Sequence, residues 1–193
     1  MDEAKSRKRP ATYDDLLKVP DHKVAEILDG ELHVSPRPAS PHAYATSRLQ
    51  GRLDDFDMGS AGPGGWWIVI EPELHLGPDV LVPDLAAWRH ERLPDYPSVP
   101  YFELAPDWAC EVLSPSTERI DRTKKLRIYA REGVRYMWLV NAITRRLEIL
   151  RLESGGWVMA ATHSDDVVIR PEPFDALPFD LGRLWARSRA DNG

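Results

Sequence analysis

A chain of 193 residues, 42% hydrophobic and 29% charged, carries enough apolar material for one core, and no polar low-complexity stretch divides it. A single domain is expected over residues 11–188, between a basic tail at 1–10 and a short flexible C-terminus at 189–193. The net charge of -6 argues against coating nucleic acid by bulk electrostatics and confines any such contact to a local patch or cleft. The lone Cys110 excludes a disulfide framework and a cysteine-rich metal site. No apolar run approaches a membrane span, and "MDEAKSRKRP" has no hydrophobic segment behind its charges to make a signal peptide. A soluble cytoplasmic protein is the expectation. Lys5, Arg7, Lys8 and Arg9 read first as a solvated tail and second as phosphate contacts.

In chain order, "TYDDLLKV" predicts a short helix with Thr12 as its N-cap. "KVAEILDGELHVS" predicts a hairpin turning on Asp29-Gly30, a pair suited to a tight primed turn. Ala43, Tyr44, Ser47, Leu49 and Leu53 support a helix over residues 40–57, stopped by Gly59 and the following Gly-Pro-Gly-Gly. "WWIVIEPELHL" and "PDLAAW" supply two or three strands, and the proline-rich "RHERLPDYPSVPYFELAP" reads as an irregular surface excursion. Then come the strand "DWACEVL", a helix over about 120–132 closed by Gly133, and the strands "RYMWLV", "RRLEILRL" and "GWVMAAT". Strands on both sides of helices predict an α/β fold, a central mixed sheet with helices packed on it and an N-terminal β-hairpin.

Alternation along 108–113 puts Trp108, Cys110 and Val112 on one face and Ala109, Glu111 and Leu113 on the other, so Glu111 occupies a face suited to burial. Asp84 opens the short strand "DLAAW". If the two strands are neighbours, both carboxylates converge on one hard cation such as magnesium, although an aspartate at a strand start more often serves a turn or cap. On the following helix Lys125 falls inside the apolar arc of Leu126, Ile128, Tyr129 and Ala130, while Lys124 lies at its edge. A lysine there either snorkels to water or reaches the glutamate. Two acids holding a metal and a lysine stabilising charge on an attacked phosphate form a phosphodiester-cleaving set.

Nearly the whole chain resembles the Uma2 family, also called DUF820, of restriction-endonuclease-like proteins in the PD-(D/E)XK nuclease superfamily. The resemblance is carried by "TYDDLLKVP", "AEILDGELHVSPRPASPHAYATSRL", "VPDLAAW", "CEVLSPSTERIDRTKKLRIYAREGVRYMWLVN" and "FDLGRLW". It implies a core sheet flanked by helices, cleavage of DNA dependent on Mg2+ (with Mn2+ as a substitute), and a site of Asp84, Glu111 and a lysine. The superfamily lysine usually stands two residues after the acid, where this chain has Leu113; the resemblance moves it to the next helix, where Lys125 matches. Asn141, where relatives tend to carry an acid, is expected at a turn. Glu26 matches the acid of the family's "YELIDGE"-like opening and either lines the site or is an exposed hairpin charge.

His42 opens the long helix and is expected to face water, with a phosphate contact as the other reading. Glu71 and Glu73 flank Pro72, cannot both point inward at an ordinary pleat, and are left outside the site. Six of the tryptophans, Trp66, Trp67, Trp88, Trp108, Trp138 and Trp157, stand in strand-like segments without interleaved basic residues and are expected to pack rather than to stack on bases. The resulting expectation is a metal-dependent endonuclease acting on DNA as a homodimer, two sites being the simplest way to cut both strands. A non-catalytic nucleic-acid-binding or accessory module on the same fold is the competing class.

Overall fold

The structure, a computed structural model, describes residues 9–37, 39–57 and 62–186. The basic residues Lys5, Arg7 and Lys8, the C-terminal stretch 189–193 and the expected stop at Gly59 lie outside the described residues. Arg9 is tied down: its guanidinium pairs with Asp15 at 2.7 Å.

Helix α1 (Tyr13–Leu16) starts after Thr12, whose backbone N–H and hydroxyl both donate to the Asp15 carboxylate at 3.0 Å. Strands β1 (Lys23–Leu28) and β2 (Glu31–Pro36) form the expected hairpin. Asp29 and Gly30 both have positive φ, 54° and 76°, as a primed two-residue turn requires. Helix α2 (Ser40–Asp57) follows, over the range its apolar spacing predicts.

The remaining strands are β3 (Trp66–Ile70), β4 (Glu73–Leu76), β5 (Asp79–Leu81), β6 (Leu85–Arg89), β7 (Tyr101–Phe102), β8 (Trp108–Val112), β9 (Tyr136–Asn141), β10 (Arg146–Glu153), β11 (Gly156–Ser164), β12 (Val168–Ile169) and β13 (Phe179–Asp180). Two sheets carry the fold. The six-stranded sheet runs β11-β10-β9-β8-β6-β3 and is mixed, because β8 and β9 are parallel while the other neighbours are antiparallel. The five-stranded sheet runs β2-β1-β5-β4-β7, and β12 pairs with β13.

Every residue of β8 is buried, so both faces of the large sheet are covered. Trp108, Cys110 and Val112 join Ala45, Leu49 and Leu53 of α2 and Phe174, Phe179 and Leu184 from the C-terminal segment. Ala109 and Leu113 join Leu74, Leu76 and Leu81 of the small sheet and Ile128 and Tyr129. The second face is therefore covered largely by another sheet, where helices were expected. β1, β4 and β5 supply enough buried aliphatic side chains to act as a layer of their own.

Trp88, Trp108 and Trp138 are fully buried, each on the order of 5 kcal/mol of gross apolar burial at roughly 25 cal/mol per Å2. Trp67 and Trp157 donate their indole N–H groups to Leu93 and Leu126 carbonyls. All six tryptophans pack as expected.

Two local expectations need correction. The proline-rich excursion contains β7, which pairs in parallel with β4. The helix expected over about 120–132 begins earlier and is composite: α3 (Glu118–Ile120), a π-helical turn Asp121–Lys125, and α4 (Leu126–Arg131).

Candidate active site

Leu85 pairs with Cys110, so the antiparallel register extended by one residue sets Asp84, just before β6, opposite Glu111 and on the same face. A hydrogen bond locks this arrangement: Val112 N–H donates to Asp84 Oδ2 at 2.7 Å. The other oxygen, Oδ1, lies 3.1 Å from His42 Nε2. His42 is buried on α2, which corrects the expectation of a water-facing residue, and it lines the same pocket as Asp84.

Glu111 Oε1 accepts from the Tyr129 hydroxyl at 2.7 Å and stands 2.8 Å from Lys125 Nζ. Glu26, from β1, accepts the Val82 N–H at 2.8 Å and lies 2.9 Å from the same ammonium. Lys125 also donates to the Val82 carbonyl at 3.3 Å. Asp121, one turn earlier in the π-helical segment, lies 3.7 Å from Lys125 Nζ. The side chains of Glu111, Lys125 and Asp121 are each at most 5% exposed.

Three carboxylates, of Glu111, Glu26 and Asp121, thus gather round one ammonium, with Asp84 across from Glu111, and burial sets the protonation of Glu111 and Asp121. Desolvation by itself favours neutral Lys125, yet the attraction of Glu111 and Glu26 overrides it and holds the lysine charged well past its ordinary range. Burial, reinforced by Asp121, Asp84 and Glu26, pushes the Glu111 carboxyl well up against the opposing pull of Lys125. Burial raises Asp121 to about 6. The acids outnumber the fixed positive charge, which is the electrostatic condition for attracting a divalent cation.

These groups line a pocket of about 270 Å3 whose walls include Val24, Val82, Pro115 and Thr117, with Arg37 and Glu71 also on its lining. Asp84, Glu111, Lys125 and Glu26 are all brought together there. Asp121 and Tyr129 were not singled out as site residues. The signal for both was helical spacing, since each lies four residues from Lys125 on the buried side. Arg37 and Glu71 form an ion pair at 2.9 Å, whereas Glu73 turns away to Tyr13 and His75. Leu113, at the usual motif-lysine position, is buried in the core. Asn141 accepts the Ile143 and Thr144 N–H groups with its side-chain oxygen, in the turn role expected of it. Lys124 reaches out to Glu31 and His33 of the hairpin.

A hard cation fits the donor chemistry: two cross-strand carboxylates, Asp84 and Glu111, in a net acidic pocket open to solvent. Among the described residues no three His, Cys, Asp or Glu side chains stand as a ready ligand set. Water and phosphate oxygens would therefore complete any coordination shell.

A family model described as "Putative restriction endonuclease" matches residues 10–181. The chain belongs to the Uma2 family. Among solved structures, the 1.96 Å crystal structure of a "putative nuclease belonging to DUF820" from Anabaena variabilis ATCC 29413 is similar. Its TM-score is 0.72 at 22% identity, covering 91% of this chain and 98% of that one. At that identity the likeness speaks for the fold, which is restriction-endonuclease-like, a mixed α/β architecture shared across nearly the full length of this Uma2 chain. Comparison with curated proteins gives no match.

Proposed function

We propose that this Uma2 protein is a metal-dependent endonuclease that hydrolyses DNA phosphodiester bonds. The observation that carries the reading is the cross-strand pair Asp84 and Glu111, held at one pocket with Lys125 between Glu111 and Glu26. Asp84 and Glu111 would hold Mg2+, or Mn2+ in its place. Bound there, the cation supplies Lewis-acid stabilisation of charge on the scissile phosphate.

The chain's own groups do the rest. Lys125 presents an ammonium that stays protonated, stabilising the charge that grows on the phosphoryl oxygens as water attacks phosphorus and the P–O bond to the leaving group breaks. Glu26 and the Val82 carbonyl fix the direction of that ammonium, and Tyr129 fixes Glu111. His42 braces Asp84. Cutting both strands is proposed to use a homodimer, and the site of action is proposed to be the cytoplasm.

One observation favours a non-catalytic module instead: Lys125 already neutralises Glu111 at 2.8 Å and so competes with a cation for that carboxylate. Incubation of the purified protein with supercoiled DNA, with Mg2+, Mn2+ or a chelator, separates the two. The endonuclease reading predicts nicked and linear products that require the cation and disappear in Glu111→Gln. DNA left intact under every metal condition would favour the binding module.

A further inference from the structure

Helix α2 carries polar chemistry on two of its faces. Its buried side brings His42 to Asp84. Its exposed side, with Tyr44, Ser47, Arg48 and Arg52, forms one wall of a groove of about 930 Å3. The opposite wall comes from the C-terminal 3-10 turn Leu181–Leu184 and its neighbours, with Asp166, Asp180 and Arg183.

Charge in this groove is unevenly satisfied. Arg183 is bound to Asp180 at 2.9 Å. Arg48 makes no ion pair with any described carboxylate; its guanidinium lies 5.1 Å over the ring of Tyr44, itself 36% exposed. Arg52 makes no ion pair among the described residues either. With Arg183 and Asp180 cancelling, Arg48 and Arg52 outnumber Asp166, and two guanidinium groups one helical turn apart beside a serine hydroxyl and an exposed ring leave this groove net positive in a chain of net charge -6, a local anion-binding surface.

We propose that Arg48 and Arg52, with Ser47, bind backbone phosphates of the DNA strand that enters the Asp84–Glu111 pocket, making α2 the element that seats the substrate flank. The proposal rests on the endonuclease reading for the identity of the ligand. At 1.5 Å per residue, Arg48 and Arg52 stand about 9 and about 15 Å along α2 from His42. With a rise of about 3.4 Å per nucleotide, the contacted phosphates lie roughly three to four nucleotides from the acids. Guanidinium–phosphate pairs of this kind read no sequence; they set orientation and supply salt-dependent affinity.

The test is equilibrium binding, by fluorescence anisotropy in chelator, of a labelled 20-nucleotide single strand and the matching duplex from 50 to 200 mM salt. Arg48→Ala combined with Arg52→Ala should reduce the slope of log affinity against log salt by nearly two for duplex and by somewhat less for single strand. Replacing both arginines by lysine should recover most of that slope, and Arg135→Ala, an exposed cation outside the groove, should not change it. Hydrolysis of bis(4-nitrophenyl) phosphate, too small to span the groove, should be unaffected by the double alanine variant. A reduced slope in a protein that hydrolyses nothing would leave the groove assignment standing and remove the endonuclease reading. An unchanged slope, or a wild-type protein that binds neither probe, would overturn the groove assignment.

Discussion

Lys125 Nζ stands 2.8 Å from Glu111 Oε1 and 2.9 Å from Glu26 Oε1 with 3% of its side chain exposed, so its charge is held in the pocket and does not snorkel to the surface. Lys125→Ala is expected to slow cleavage by about a hundredfold or more. Lys124→Ala, which removes only an exposed contact to the hairpin, should be nearly silent, and Lys125→Met, which keeps volume without charge, should be as inactive as Lys125→Ala. Steady-state rates on DNA in Mg2+ check all three; wild-type cleavage by Lys125→Met would show that the lysine merely packs. Tyr129→Phe deletes the hydroxyl that donates to Glu111 at 2.7 Å and should cost about 1–3 kcal/mol, readable by urea denaturation. Much of this constellation was legible from residues: alternation isolated Glu111, the apolar arc singled out Lys125, and the resemblance supplied Glu26. His42 was misjudged because a helix-opening histidine ordinarily meets water, and nothing local says that this turn of α2 lies over Asp84.

The segment Asp121–Lys125 is a π-helical turn whose acid and lysine, four residues apart, share a side, while α4 keeps its packing against the sheet. A wide turn of this kind leaves no mark in hydrophobic spacing, which is why periodicity predicted one regular helix there. The same limit hid the small sheet's place. Each of its strands reads correctly on its own, but a three-residue strand such as β5 does not declare which layer it joins, and β7 is two residues set among prolines. The α2 range and the hairpin were legible because their punctuation is local, in an amphipathic run and an Asp-Gly turn.

Across the whole molecule, the burial of Glu111 and Asp121 ties folding to the uptake of protons at the pocket. Asp121 has a folded pKa of about 6 against an ordinary value of 3.8, so between those values the native state holds a proton that the unfolded chain has released. Stability in chelator should therefore be highest below about pH 4 as far as this group is concerned. It should fall as the pH rises through 6, by up to about 3 kcal/mol. Asp121→Asn should flatten that decline in urea titrations at pH 4.5, 5.5 and 7, and an unaltered slope would remove Asp121 as its source. Cation binding should act in the opposite sense, because a ligand held by the native state alone stabilises it, by about 2.7 kcal/mol at a hundredfold excess over Kd. The most direct measurement of whether Asp84 and Glu111 form a cation site is the melting temperature at neutral pH in chelator, Mg2+ and Mn2+, for the wild type and for Asp84→Asn, which keeps the shape of the carboxylate. A rise of several degrees with either cation in the wild type and none in Asp84→Asn is the predicted result; an equal rise in both proteins, or none in the wild type, would contradict it.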